Sequence, residues 1–150
     1  MEIKKAVSED AENLSKIALA AKAFWKYPES WLNLWKDGLT ITPEFIAENE
    51  VYLAVSETKT VGFYALILKG ENARLEHLWI EPEFIGRGIG RQLFAHALQT
   101  ARSCGATLME IFSDPNAEGF YRKQGAEKFI EHFSEIEGVK RVLPVMRIEL

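Results

Sequence analysis

Apolar residues fall into two spacings along this chain. They alternate, or run together in short stretches, at Glu2–Val7, Val51–Ser56, Val61–Leu68, Leu75–Ile80, Thr107–Phe112, Ala126–Phe133 and Val142–Leu150, and each stretch predicts a strand. Elsewhere they recur at helical spacing. Leu14, Ile17, Ala18 and Ala21 predict a helix over Ala11–Phe24; Leu93, Phe94, Ala97, Leu98 and Ala101 predict another from about Gly90. Ala117–Gln124 reads as a further helix stopped by Gly125. Ser8 is placed to cap the first helix, with Glu9 and Asp10 in its opening turn, and Thr42-Pro43-Glu44 reads as an N-cap followed by proline at the first helical position. Glu57–Thr60 joins two strands as a hairpin, and Gly70-Glu71-Asn72 turns into the next strand. The resulting order, β-α-α-β-β-β-α-β-α-β-β, predicts the α/β (α+β) class, with a central mixed sheet and helices on both faces.

Between the first helix and the second strand the pattern is aromatic. Phe24, Trp25, Tyr27, Trp31, Trp35 and Phe45 crowd together, punctuated by Pro28 and Gly38, so two short helices or a helix and a loop are expected. These rings either cover a sheet edge or wall an organic substrate, and Trp25, Tyr27 and Trp31 are the candidates for the second role.

The chain of 150 residues suits one domain over 1–150, long enough to bury a core without staples. A net charge of −4 argues against nucleic acid and tilts toward cationic small partners. Cys104 is the only cysteine, which excludes an intrachain disulfide and fits a reducing, cytoplasmic setting. It ends a helix just before Gly105, a poor place for a nucleophile. No apolar run approaches 18 residues, so no membrane span is expected. His77, His96 and His132 lack ligand spacing, so no metal is expected either.

The chemistry is concentrated in Leu75–Leu93. Glu81-Pro82-Glu83 breaks the strand, and Gly86, Gly88 and Gly90 then fall at every second position before the helix. Residues without Cβ let successive amides turn toward one point, and a helix N-terminus adds unpaired amides and positive dipole. Arg87 and Arg91 bring full charge to the same place, so the loop reads as a diphosphate site, unless it is only a structural turn. Neither GxxxxGK[ST] nor GxGxxG is present, since Arg91 stands where a third dinucleotide glycine would be.

Two motifs then carry a family resemblance. Leu78–Leu93, with Ile85-Gly86-Arg87-Gly88-Ile89-Gly90 at its centre, resembles the acyl-CoA-binding motif of the GNAT superfamily of N-acetyltransferases, although Ile85 replaces the usual Gln or Arg. Asp114–Ala126, which contains Asn116, Phe120-Tyr121 and Gly125, is similar to that family's Asn-containing turn, "FY" helix and Gly-hydrophobic pair. Ile3–Val7 and Asp10 are similar to its first strand and helix start. The resemblance implies a GNAT-like, mostly antiparallel sheet of about seven strands, with acetyl-CoA as cosubstrate. It implies that the pantetheine arm lies along Leu78, Trp79 and Ile80. Backbone at Phe84–Arg91 (Ile85, Gly86, Arg87, Gly88, Ile89, Gly90 and Arg91 among it) would hold the pyrophosphate. Asp114 or Asn116 would contact the arm.

The reaction so implied is direct acetyl transfer to a primary amine of a small molecule. An acyl-CoA sensor without turnover and a protein or peptide N-acetyltransferase are the alternatives. The resemblance gives Tyr121 as general acid. Strict alternation puts Arg74, Glu76, Leu78 and Ile80 on one sheet face and Leu75, His77 and Trp79 on the other, with His77 in the core. The resemblance makes Glu76 the first choice of base, directly or through water, with Glu110 or bulk water behind it. A homodimer through the last two strands is a further expectation, since family members are often dimers.

Overall fold

A computed structural model describes residues 1–150. The stretches rich in β-branched and aromatic residues form β1 (Glu2–Lys5), β2 (Glu50–Ser56), β3 (Lys59–Lys69), β4 (Asn72–Ile80), β5 (Leu108–Phe112), β6 (Glu127–Ile136) and β7 (Val139–Glu149). They pair into one seven-stranded sheet of order β1-β2-β3-β4-β5-β7-β6. Every neighbouring pair is antiparallel except β4–β5, which is parallel. Such a pair needs a crossover, and α4 (Ile89–Ser103) supplies it. The other helices are α1 (Ala11–Ala23), α2 (Glu29–Trp35), α3 (Pro43–Glu48) and α5 (Glu118–Lys123).

The sheet is buried on both faces, which is why its central strands read as apolar runs. On one face α1 and α3 pack Leu14, Ile17 and Ile46 against Leu53, Phe63 and Ala65. On the other, α4 and α5 pack Leu93, Phe94, Ala97 and Tyr121 against Leu66, Leu75 and Met109. At roughly 1.5–3 kcal/mol per buried large apolar side chain, these two layers are the main source of stability.

Three expectations are corrected. Ser8 does not cap α1; it opens a 3-10 turn, and the Asp10 carboxylate accepts the Val7 amide at 2.8 Å instead. Between β1 and β2 lie three helices rather than two, because the aromatic segment forms α2 and Thr42 caps a separate α3, its Oγ1 accepting the Phe45 amide. Strict alternation along β4 fails at Glu76. The β3 register steps from Ala65↔His77 to Leu66↔Leu75, leaving Glu76 as an extra, bulged residue. Leu75 therefore shares a face with Leu78 and Ile80 against α4, whereas Trp79 packs on the α1 face, and His77 lies against Phe45 and Phe63 there.

Candidate active site

The parallel pair opens where the bulge lies. β4 and β5 are in register from Asn72↔Leu108 to Leu75↔Ile111, and β5 ends one residue later. Beyond that point β4 continues through Ile80, paired on its other side with β3 as far as Gly62. The edge of Glu76–Ile80 that faces β5 thus has no strand partner, and a cleft of about 510 Å³ occupies the gap. Leu78, Trp79 and Ile80 form one wall; Asp114, Asn116, Phe120 and Tyr121 form the other.

The glycine loop closes one end. Pro82 ends β4 and starts a 3-10 turn over Pro82–Phe84. Gly86 and Gly88 then take φ of +84° and +80°, the left-handed region open to glycine. Gly88 is the N-cap of α4 and, having no side chain, cannot cap it. The first amide of this segment to find an acceptor is that of Gln92, bonded to the Gly88 carbonyl at 3.1 Å. The six amides of Gly86, Arg87, Gly88, Ile89, Gly90 and Arg91 donate to nothing in the protein. Unpaired amides at the positive end of a 15-residue helix are an anion site; the dipole itself adds about 0.3–1 kcal/mol. Ile85, Gly86, Gly88, Ile89, Gly90 and Arg91 line the cleft, while Arg87 turns back to place its guanidinium 4.7 Å from the Phe84 ring.

Two titratable side chains on the cleft wall carry the sequence's catalytic candidates. Tyr121 faces the gap from α5, almost fully buried between Phe94 and Phe120. Burial pushes its phenol well above the ordinary tyrosine value, so it stays protonated. Glu76 reaches the wall as the bulged residue. Its only ion pair is a long one, 3.8 Å to Arg74 Nε, with about a third of each side chain or more exposed, which is a weak contact. Glu110 is not on the cleft wall; it stands in register between Arg74 of β4 and Arg147 of β7. His77 is off the cleft. Its Nδ1 accepts the Trp79 indole N–H at 2.9 Å, and burial lowers its pKa to about 4.

Asp114 and Asn116 both reach the cleft, but the Asp114 carboxylate is fully engaged. It meets Lys22 Nζ at 2.6 Å and accepts from the Tyr27 hydroxyl, the Asn116 amide and Asn116 Nδ2. Burial would raise its pKa; the Lys22 hydrogen bond and charge outweigh that and hold it below the usual carboxylate value. The aromatic segment divides. Trp25 lines the cleft, whereas Tyr27 and Trp31 line neither it nor the neighbouring cavity. They stack on each other at 5.9 Å and meet Trp35 edge-on, with the Tyr27 phenol pushed up to about 12 by burial and by Asp114. Beside them a second cavity, about 330 Å³, shares Phe112 and Asp114 with the cleft.

Sequence reasoning missed Phe112 in the cleft and Lys22 and Arg141 in the second cavity. Phe84, where the expected pyrophosphate segment begins, does line the cleft. Lys22 has the spacing of an exposed helix residue, and only its partner 92 residues away makes it part of a site. No three His, Cys, Asp or Glu side chains converge as a metal site requires, and no helix is long and apolar enough to cross a membrane.

A mixed sheet whose one parallel pair parts over a glycine-opened helix N-terminus is a recognisable architecture, and the comparisons give it a family. The model of the acetyltransferase (GNAT) domain matches residues 38–150, and the chain belongs to that family of N-acetyltransferases. It is 29% identical over 109 residues to the peptidyl-lysine N-acetyltransferase YjaB of Salmonella typhimurium, covering 72% of this chain and 70% of that one. A GCN5-related N-acetyltransferase from Rhodopseudomonas palustris superposes with a TM-score of 0.82 at 22% identity, over 99% of this chain and 95% of the other. The PaiA N-acetyltransferase of Thermoplasma acidophilum, solved in complex with coenzyme A, does so with 0.80 at 20%, over 99% and 98%. At such identities the last two likenesses are of fold.

Proposed function

We propose that the protein moves the acetyl group of acetyl-CoA directly to the primary amine of a small molecule. The observation that carries this reading is the run of six unpartnered amides, Gly86–Arg91, at the end of a cleft bordered by an unpaired strand edge. The amides suit a diphosphate, and the edge of Leu78–Ile80 suits an amide-bearing arm that adds as a strand would. The cleft volume suits the arm. The Asp114 carboxylate is already engaged, and Asn116 Nδ2 donates to Asp114 and Tyr27, so the Asn116 Oδ1, which accepts from no group of the protein, is the better candidate for a side-chain contact to that arm. Bound there, acetyl-CoA supplies an activated thioester.

The protein's own groups then have distinct tasks. An alkylamine of pKa ~10.4 must lose a proton before it can attack, which costs about 4–5 kcal/mol at neutral pH. Glu76, directly or through water, takes the proton that leaves nitrogen as the C–N bond forms. A backbone amide near Leu78–Trp79 holds the negative charge that builds on the carbonyl oxygen. As the C–S bond breaks, the Tyr121 hydroxyl donates to the departing sulfur and recovers its proton from solvent. The products are one amide and one thiol. Trp25, on the cleft wall, borders the acceptor's entrance.

The similarity to a peptidyl-lysine N-acetyltransferase favours a second reading, a protein lysine as acceptor. Thiol release from acetyl-CoA, measured across small amines and lysine peptides, separates the two. Tyr121→Phe is expected to lower turnover tenfold or more with acetyl-CoA affinity retained. Because burial raises the phenol's pKa, Tyr121 keeps its proton to high pH and contributes no alkaline limb below about pH 10. Near-normal turnover in that variant would remove the phenol from the acid role. An unchanged pH profile in Glu76→Gln would pass the base role to bulk water.

A further inference from the structure

Arg141 is a cation without an anion. It lies on β7 beyond the stretch that β5 covers, which ends at Phe112↔Val145. Its guanidinium carbon stands 5.2, 5.6 and 4.9 Å from the ring centroids of Tyr27, Trp31 and Trp35. Its one side-chain hydrogen bond is from Nη2 to the Tyr27 hydroxyl, at 3.1 Å, and no carboxylate of the protein pairs with it. Arg141 is half-buried, its guanidinium lies against flat rings, and the residue lines the 330 Å³ cavity. The charges on that cavity's wall are Lys22, Asp114 and Arg141. Lys22 and Asp114 cancel each other across a buried 2.6 Å contact, with 12% and 9% of their side chains exposed. The cavity therefore carries one uncompensated positive charge, in a protein whose net charge is −4.

We propose that this cavity is the acceptor's anchoring subsite and that Arg141 binds a carboxylate there, so that the acceptor is a small amine that also carries a carboxylate. The proposal rests on the amine-acetylation reading above. The chemistry fits the group. A guanidinium presents a rigid fork that matches a carboxylate with two parallel hydrogen bonds, and rings packed behind it fix the fork in place. The location fits too. Phe112 and Asp114 belong to both cavities. Phe112 lies under Arg74, 4.0 Å from ring centroid to guanidinium carbon, and Arg74 pairs with Glu76. A short amino carboxylate held at Arg141 thus extends past Phe112 toward the carboxylate proposed to take its amine proton. Tyr27, Trp31 and Trp35 act as positioning residues for Arg141 and need not touch the acceptor. The positive subsite also reverses the tilt toward purely cationic acceptors that net charge alone implies.

The test compares kcat/KM, by thiol release, for amino carboxylates of graded length and for the same compounds with the carboxylate replaced by a primary amide. The wild-type protein is expected to prefer the carboxylates at least tenfold. Arg141→Gln should bring that ratio to within about twofold of one, chiefly through a higher KM for the carboxylates, and Arg141→Lys should restore part of it. Acetyl-CoA affinity by calorimetry reports whether each variant has folded. A wild-type ratio near one, or a preference that survives Arg141→Gln in a folded variant, overturns the proposal and leaves the transferase reading standing. Faster acetylation of a lysine peptide than of any free amino carboxylate also overturns it. No thiol release with any amine, despite acetyl-CoA binding, overturns both.

Discussion

At the scale of single residues, His77 gives the sharpest expectation. It is neutral in the fold because burial disfavours its charged form, and its Nδ1 is occupied by the Trp79 N–H, which puts the ring proton on Nε2. Its pKa falls from 6.5 to about 4. Between those values the unfolded chain binds the proton and the folded one does not. The group's contribution is therefore intact above pH 6.5 and is lost as pH falls toward 4, by as much as about 3 kcal/mol. His77→Asn keeps an acceptor near Trp79 without a titrating ring. Its melting temperature should be lower than wild type at pH 7.5 and should fall less steeply between pH 6.5 and 4.5. Parallel slopes in the two proteins would show that other groups govern acid unfolding. That His77 is a core histidine was legible in its apolar neighbours. The face on which it lies was not, because the bulge at Glu76 is set by the register with β3, and nothing within β4 itself marks the extra residue.

At the scale of elements, the loop before α4 was legible because its chemistry is local. Proline, alternating glycines and an amphipathic helix follow one another within the Leu75–Leu93 stretch. The three glycines that look equivalent in sequence are not equivalent in the fold. Gly88 needs its φ of +80°, and a side chain there costs roughly 1–2 kcal/mol of backbone strain. Gly90 lies inside the first turn of α4 with ordinary helical geometry, and an added Cβ would meet the Phe120 ring at 3.5 Å, a normal contact. Gly88→Ala should therefore lower the melting temperature by several degrees and weaken acetyl-CoA binding at least tenfold. Gly90→Ala should melt within about two degrees of wild type and bind the coenzyme more tightly than Gly88→Ala does. Calorimetry and thermal melts on the pair check the order; the reverse order would mean that Gly90, not Gly88, aims the amides. The second cavity was illegible for the opposite reason. Lys22, Trp35, Asp114 and Arg141 come from α1, α2, the turn after β5 and β7; Lys22 and Arg141 look like surface when taken alone, and nothing local joins them to Trp35 or Asp114.

At the scale of the whole molecule, the two edges of the sheet are unlike. β1 is four residues long and carries Lys4 and Lys5, a short charged edge of the kind that resists pairing. β6 forms the other edge over ten residues, and the hairpin it makes with β7 exposes Phe129, Ile130, Phe133, Val139 and Val142, with Phe133 71% exposed. Lys128 and Glu131 satisfy each other at 2.9 Å, and Arg147 covers the Phe129 ring at 4.1 Å, which leaves Phe133 the most exposed apolar ring of the hairpin. Phe133 and Val142 are register partners on one face of this hairpin, beside a long free edge; exposed apolar groups so placed favour contact with another chain, and a second copy of the same hairpin presents the same surface. The expectation is a homodimer through β6–β7. Light scattering at tens of micromolar should give twice the 17.1 kDa of the chain. Phe133→Asp should return the mass to that of one chain while keeping thiol release, since Phe133 borders neither cavity. A wild-type protein that stays monomeric up to several hundred micromolar would dismiss the dimer. A Phe133→Asp protein that dimerises as well as wild type would move the interface elsewhere. Arg141 lies on this same hairpin, paired with Ser134 one position from Phe133. Should the variant lose the carboxylate preference together with its partner, the edge contact would be holding the anchoring subsite in shape, and the acceptor site would be complete only in the dimer.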